Sequence, residues 1–145
     1  MNWLLESKLK NPNPTYMVLP ERYQDVHLGG IKHKLVWETS RNYLLKFWDV
    51  APLGIAPLFV GTSGEYKTYA ALAIAKYVSS QIETAVVWCP QFGLQLTLSR
   101  FSMEPIIKRY CEVPFLVMDD FAALAPDKEQ MQALLTITSE RYNNN

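Results

Sequence analysis

Several kinds of residue that would point to a function are scarce in this sequence. Basic and acidic residues each number 14 among the 145 residues, so the formal net charge is zero. No field of the whole molecule therefore attracts nucleic acid or an anionic membrane, and any such contact needs a local patch. The two cysteines, Cys89 and Cys111, and the two histidines, His27 and His33, lack the spacing of a metal site. We expect buried free thiols and solvated imidazoles.

Long apolar runs are also missing. No run approaches the roughly 18 apolar residues of a membrane-spanning helix, and the first residues lack the basic start and apolar core of a signal peptide. The sequence therefore predicts a cytoplasmic protein without membrane contact. Its 49% hydrophobic and 19% charged composition is that of an ordinary globular domain.

The most informative segment that is present is a glycine-containing loop before an alanine-rich stretch. Strand, glycine loop, Lys-Thr and helix together make a phosphate cradle, because glycines let the backbone approach closely and a helix N-terminus offers N–H groups to an anion. We predict that Lys67 reaches the β- and γ-phosphates of ATP and that the Thr68 hydroxyl ligates Mg²⁺. The candidate nucleotide-binding residues are Gly61, Thr62, Ser63, Gly64, Glu65, Tyr66, Lys67 and Thr68.

One residue of this loop departs from the pattern G-x-x-x-x-G-K-[ST]. Tyr66 stands where the second glycine is required, although an extra glycine is present at Gly64. We expect an ordinary φ at Tyr66, with the ring turned away from the phosphates. A glycine in its place should tighten nucleotide binding and cost about 0.5–1 kcal/mol of stability through added backbone freedom.

A second segment supplies what a phosphate cradle needs next. The apolar run from Phe115 to Met118 ends in Asp119 and Asp120. We predict that Asp119 holds Mg²⁺ indirectly, through the groups that ligate the ion, and that Asp120 is catalytic, orienting or polarising the attacking water. Each segment has a plainer interpretation: a glycine turn before an alanine-rich helix for the loop, and helix capping for the acidic pair.

The pattern of apolar residues predicts strands alternating with helices. Such alternation indicates a parallel α/β sheet with right-handed crossovers, which here is the parallel three-layer core of a P-loop NTPase. Residues 1–50 are predicted as a helical and extended segment that packs on a core formed by residues 51–145. The predicted strands are 58–60, 84–88 and 114–118, and the predicted helices are 1–10, 31–49, 67–79, 90–101, 104–110 and 127–142.

The order of these features resembles a known family. Leu19-Pro-Glu-Arg-Tyr is similar to the segment that precedes the AAA+ ATPase core of the bacterial DnaC and DnaI helicase loaders and of the IstB transposition helper. The resemblance continues through the loop and the two aspartates to Arg141-Tyr142, and so covers residues 19–142. It implies an AAA+-like fold, ATP and Mg²⁺ as cofactors, and a replicative helicase or a transposase on DNA as the client.

The resemblance also implies elements that have no counterpart here. In that family a further strand with a polar sensor residue enters the sheet between the strand before the phosphate loop and the strand that ends in the aspartates. An arginine finger follows it. We therefore expect an incomplete sheet lacking the C-terminal strands, a truncated product, and ATP binding with turnover near background. We also expect self-association through the open sheet.

Other basic and aromatic residues of the chain have both a structural and a binding interpretation. Arg141 is predicted to be structural. Scattered basic residues on the helix around Lys32, Lys34 and Arg41 allow contact with single-stranded DNA, but a solvated face is the simpler interpretation. The four tryptophans are predicted to pack in the core. Two classes of function stay open: an ATP-dependent loader or remodeller, and a degenerate P-loop interaction module without nucleotide turnover.

Overall fold

A computed structural model of the chain describes residues 19–92, 103–121 and 128–144, except for the side chain of Glu129. The helix predicted at 1–10 and most of the helix predicted at 90–101 lie outside these residues. Residues 89–92 are helical.

The described residues form a small parallel sheet of two strands, β1 (Thr84–Trp88) and β2 (Phe115–Asp119). Thr84 is opposite Phe115 and Trp88 is opposite Asp119, so both strands end at the same edge of the sheet. The predictions for these two strands are confirmed to within one residue at either end. The α/β class with parallel strands is confirmed, and the finer assignment to a P-loop NTPase core stays a prediction.

The strand predicted at 58–60 is wrong. These residues have no strand assignment in the structure, and Leu58 and Val60 are 86% and 83% exposed. Only Phe59 turns inward, where it packs against the cluster around Phe47. The physical reason is the absence of a partner among the described residues: β2 pairs with β1 alone, and an apolar run without a neighbouring strand cannot complete a ladder.

Five labelled helices surround the sheet. The predicted helix at 31–49 is interrupted at Lys46, whose φ of −107° and ψ of 12° end one helix before the next begins. The helices predicted at 67–79, 104–110 and 127–142 are confirmed to within two residues at either end. The bounds are α1 (Lys34–Leu45), α2 (Phe47–Val50), α3 (Lys67–Ser79), α4 (Glu104–Glu112) and α5 (Lys128–Asn143), with short 3-10 turns at Glu21–Tyr23, Leu28–Gly30 and Ala51–Leu53.

The core lies on both faces of the sheet. On one face, α1, α2 and α3 pack around Phe47, Ile74 and Phe115. On the other face, α4 and α5 cover Val87 and Leu116. This arrangement gives three layers, with the alternating side chains of each strand divided between the two faces. Among the apolar residues of the helical segments and the turn before α1, Ile31, Tyr43, Phe47, Leu134 and Ile137 are buried, whereas Leu35 and Leu135 are 67% and 50% exposed.

Arg141 joins the end of α4 to the start of β2. Its guanidinium Nη1 donates to the carbonyl oxygens of Tyr110 at 3.0 Å and Val113 at 2.6 Å, and Nη2 donates to Pro114 at 3.2 Å. A cation at a helix C-terminus satisfies carbonyls that the helix itself leaves free. The predicted structural role of Arg141 is thereby confirmed.

Candidate functional site

The two segments singled out in the sequence meet at one contact. The Thr68 hydroxyl donates to the Asp119 carboxylate, with Thr68 Oγ1 at 3.1 Å from Oδ1 and 3.0 Å from Oδ2. The partners are 51 residues apart in sequence. They meet because α3 begins at the edge of the sheet where β2 ends. The structure therefore brings together Thr68 and Asp119, as the sequence predicted.

The backbone at the start of α3 offers donors to this site. Tyr66 is the N-cap residue of α3 and makes no side-chain capping hydrogen bond, and the first helical bond runs from Ala70 N to Tyr66 O. The N–H groups of Lys67, Thr68 and Tyr69 in the first turn therefore lack partners within the helix. Donors in this position, with the positive end of the helix dipole, favour an anion.

The loop before α3 bends sharply and carries Lys67 at its end. Thr62, Ser63 and Gly64 are exposed, and Gly64 has a φ of 86°. The Lys67 ammonium folds back and donates to the carbonyl oxygen of Thr62, so the side chain spans the loop. Lys67 thus lies within the loop, beside the Thr68–Asp119 contact.

The expectation of an ordinary φ at Tyr66 is wrong. Tyr66 is left-handed, with φ 59° and ψ 14°. The pattern's glycine at this position can take that conformation without a steric cost, whereas a tyrosine cannot. Its ring is half-buried and contacts the ring of Tyr69 edge to face, with the ring centroids 5.9 Å apart. The loop therefore keeps a glycine-like backbone around a bulky residue.

Glu65 has a place in the loop that sequence reasoning did not assign. A Cβ added to Gly61 would overlap Glu65 Oε2, so the carboxylate reaches back across the loop to its first residue. The same point is 4.0 Å from Lys67 Cδ. The spacing of the motif gave no indication of this contact, because position 65 accepts any residue in the pattern.

Burial shapes the electrostatics at the sheet edge. Asp119 is 9% exposed. Its burial and the nearby charge of Asp120 hold the pKa of its carboxyl above the ordinary value. The hydrogen bond from Thr68 and the charge of Lys67 act to lower this pKa. Burial and the same two aspartates raise the pKa of the Cys89 thiol to about 11. Both cysteines are free, Cys89 fully buried and Cys111 half-buried, so Cys89 is an inert neutral thiol at this edge.

Asp120 differs from Asp119 in its surroundings. It is exposed and left-handed, with a φ of 54°, whereas its neighbour is buried against Thr68. The turn of the backbone after β2 thus separates the two carboxylates into one that faces α3 and one that faces solvent. The predicted catalytic role of Asp120 stays a prediction.

A cavity of about 450 Å³ opens from the Thr68–Asp119 contact along β2. Its walls are residues 56–61, the first turn of α3 and the length of β2. Because Phe115 N donates to Glu83 O on the β1 side, alternation along a parallel strand points the backbone groups of Leu116 and Met118 away from β1, toward this cavity. The cavity thus combines a polar end at Asp119 with an apolar channel beside the free edge of the sheet.

The donors at this end suit Mg²⁺ in their chemistry. A threonine hydroxyl and a carboxylate are hard oxygen ligands, and Mg²⁺ keeps several waters and phosphate oxygens besides one or two protein ligands. In the described part of the chain, no group of three or more histidine, cysteine, aspartate or glutamate side chains could hold a metal ion by itself. One hydroxyl and one carboxylate would leave the remaining positions around a Mg²⁺ ion to water or to another ligand.

Comparison with known proteins yields no relative. No protein-family model matches the chain, and no curated protein or solved structure shows significant similarity to it. Among the described residues, no helix has the length and apolar character to cross a membrane.

Proposed function

We propose that this chain binds a Mg²⁺–nucleoside triphosphate, ATP in the first instance, as a P-loop module. The observation that carries the proposal is the contact of Thr68 with Asp119 at 3.0–3.1 Å, next to the N-terminus of α3. A hydroxyl and a buried carboxylate converge there beneath uncapped backbone donors and a lysine. This set of groups matches the needs of a triphosphate with its metal ion.

Each group has a distinct part in the proposed site. The N–H groups of the first turn of α3 would hold phosphate oxygens. The Lys67 ammonium would give up its hydrogen bond with Thr62 O and neutralise charge on the β- and γ-phosphates. Thr68 and Asp119 would hold Mg²⁺, which supplies charge neutralisation between the phosphates when bound. Asp120 is exposed at the end of β2, where it would orient a water molecule or accept a proton from it.

The biological setting follows from the resemblance of the sequence alone. By that resemblance, we propose a helicase-loader-like AAA+ protein of DNA replication or transposition, with a replicative helicase or a transposase as client and single-stranded DNA as a further ligand. In such enzymes an arginine finger stabilises the charge of the transition state and raises the hydrolysis rate by about 10³–10⁵-fold.

A second candidate function has its own support. The bulky side chain of Tyr66, where the pattern has glycine, and the carboxylate of Glu65 inside the loop are both unfavourable for a phosphate site. These residues favour an interaction module that has kept the loop's shape without nucleotide turnover. The two functions differ in one measurable property, which is the affinity for nucleotide.

Titration with a fluorescent ATP analogue, with and without Mg²⁺, tests the proposal. Lys67→Ala should weaken binding at least tenfold, about 1.4 kcal/mol, because it removes the cation that faces the phosphates. Lys34→Ala is the matched control, since Lys34 is an exposed lysine of α1 paired with Glu38 at 3.9 Å. Its affinity should equal that of the wild type.

The same titration separates the two candidates. Binding that needs Mg²⁺ and depends on Lys67 but not on Lys34 supports the nucleotide site. Equal affinities of the wild type and Lys67→Ala would refute the site, and an absence of binding in every variant would favour the interaction module.

A further inference from the structure

The phosphate loop of this chain contains an acidic side chain of its own. Glu65 is half-buried although Thr62, Ser63 and Gly64 beside it are exposed. Its Oε2 lies in the space that a side chain at Gly61 would fill, on the far side of the loop. The carboxylate is therefore drawn across the loop instead of extending into solvent.

Lys67 completes this arrangement from the other end of the loop. Its Cδ lies 4.0 Å from the same point beside Gly61, and its ammonium donates to Thr62 O. The first residue of the loop is thus bracketed by one acidic and one basic side chain. A phosphate that enters the loop meets both of them.

We propose that Glu65 is an internal competitor of the phosphate, a residue that sets both the affinity and the magnesium requirement of the site. The proposal rests on the proposed nucleotide-binding function. In the free protein the carboxylate occupies the space beside Gly61 at the start of the loop, and a triphosphate that enters the loop has to displace it. Displacement leaves a carboxylate close to the phosphates, and like charges at such distances repel strongly in a half-buried place.

This arrangement selects for the metal-bound form of the ligand. Free ATP brings about four negative charges, whereas Mg²⁺ cancels two of them, so repulsion by Glu65 penalises the free nucleotide more. The wild-type protein should therefore discriminate between Mg–ATP and free ATP more sharply than a variant without the carboxylate. A merely structural role of Glu65 would change both affinities by the same factor.

Glu65→Gln is the test, because glutamine keeps the shape of glutamate without its charge. The Kd of a fluorescent ATP analogue is measured with Mg²⁺ and with EDTA for the wild type, Glu65→Gln and Glu38→Gln. Glu38, whose side chain is 45% exposed on α1, is the matched control. We expect Glu65→Gln to tighten Mg²⁺-free binding about tenfold, which corresponds to about 1.4 kcal/mol, and to tighten binding with Mg²⁺ by a smaller factor. Glu38→Gln should change neither value.

The outcomes separate this proposal from the one it rests on. If the wild type binds and Lys67→Ala does not, but Glu65→Gln binds as the wild type does under both conditions, the role of Glu65 is refuted and the nucleotide site stands. An equal gain with and without Mg²⁺ also refutes the charge competition. If no nucleotide binds to the wild type or to Glu65→Gln, both proposals fall.

Discussion

Tyr66 and Asp120 are the non-glycine residues with positive φ in the described part of the chain, and both flank the Thr68–Asp119 contact. Tyr66 precedes α3, and Asp120 follows β2. A left-handed backbone costs an ordinary residue about 1–2 kcal/mol, and such residues persist where the surrounding structure holds them. The turns that join helix and strand at this edge therefore fix the site against the local preference of the chain.

The left-handed backbone of Tyr66 leads to a prediction about stability. Tyr66→Gly and Tyr66→Ala both lose the ring contact with Tyr69, but only glycine relieves the strain. We expect Tyr66→Gly to be more stable than Tyr66→Ala by about 0.5–1 kcal/mol, after the greater freedom of unfolded glycine is subtracted. Urea unfolding of both variants measures the difference.

An exposed helical position supplies the control for Tyr66. At Thr39 in α1, glycine should instead be less stable than alanine, by about 1 kcal/mol. The same order of stability at both positions would contradict the left-handed conformation of Tyr66. We also keep the prediction that Tyr66→Gly tightens nucleotide binding.

Asp119 leads to a prediction about pH. Burial raises its pKa in the folded chain above the unfolded value of about 3.9, so the folded chain holds this proton more tightly. The contribution of this group to the free energy of unfolding therefore falls as pH rises from below that value through the raised pKa. Asp119→Asn should melt at a higher temperature than the wild type near neutral pH, with the difference shrinking as pH falls toward about 4.

Thermal melts across this pH range are compared with those of Asp25→Asn, a substitution of an exposed aspartate. The control should show no such trend. A lower melting temperature for Asp119→Asn near neutral pH would mean that its hydrogen bond with Thr68 outweighs the cost of the buried charge. In either case, Asp119→Asn should remove the Mg²⁺ dependence of nucleotide binding.

β2 has one paired edge and one edge that faces the cavity. The backbone groups of Leu116 and Met118 point toward this cavity, and the exposed side chains of Leu58 and Val60 lie on its opposite wall. An open edge beside apolar side chains is a template for pairing with another chain. The apolar residues at 58–60 and the edge of β2 that faces away from β1 therefore line the same cavity.

This edge leads to the prediction of self-association. We expect the mass of the wild type in light scattering to rise with concentration. The double substitution Leu58→Lys and Val60→Lys should reduce the association, because charged side chains on the cavity wall oppose edge pairing. Leu35→Lys with Leu45→Lys is the control, since both leucines are 67% exposed on α1. A wild type that stays monomeric, or an equal effect of both double variants, would contradict the prediction.

The described residues form three layers in which the sheet serves as a frame for the site. α3 packs on one face and α4 with α5 on the other, and Arg141 ties the end of α4 to the start of β2 through the carbonyls of Tyr110, Val113 and Pro114. The position of Asp119 is therefore set by packing that lies a full strand length from it. The Thr68–Asp119 contact depends on all three layers together.

The sequence by itself determined the elements with strong local patterns. The bounds of α3 and β1 match the prediction, because an alanine-rich run and a β-branched run favour one structure each. The proximity of Thr68 to Asp119 also agrees with the sequence, in which Lys-Thr after a glycine loop and an aspartate after an apolar strand are the two parts of a magnesium–phosphate site.

Only the tertiary structure decided the remaining features. Residues 58–60 have the composition of a strand, but a strand exists only with a partner, and none lies beside them among the described residues. The left-handed Tyr66 is set by the turn into α3 against the residue's own preference. The reach of Glu65 to Gly61 depends on how the loop closes, which no periodicity encodes. None of these three features follows from a periodicity or a spacing in the sequence.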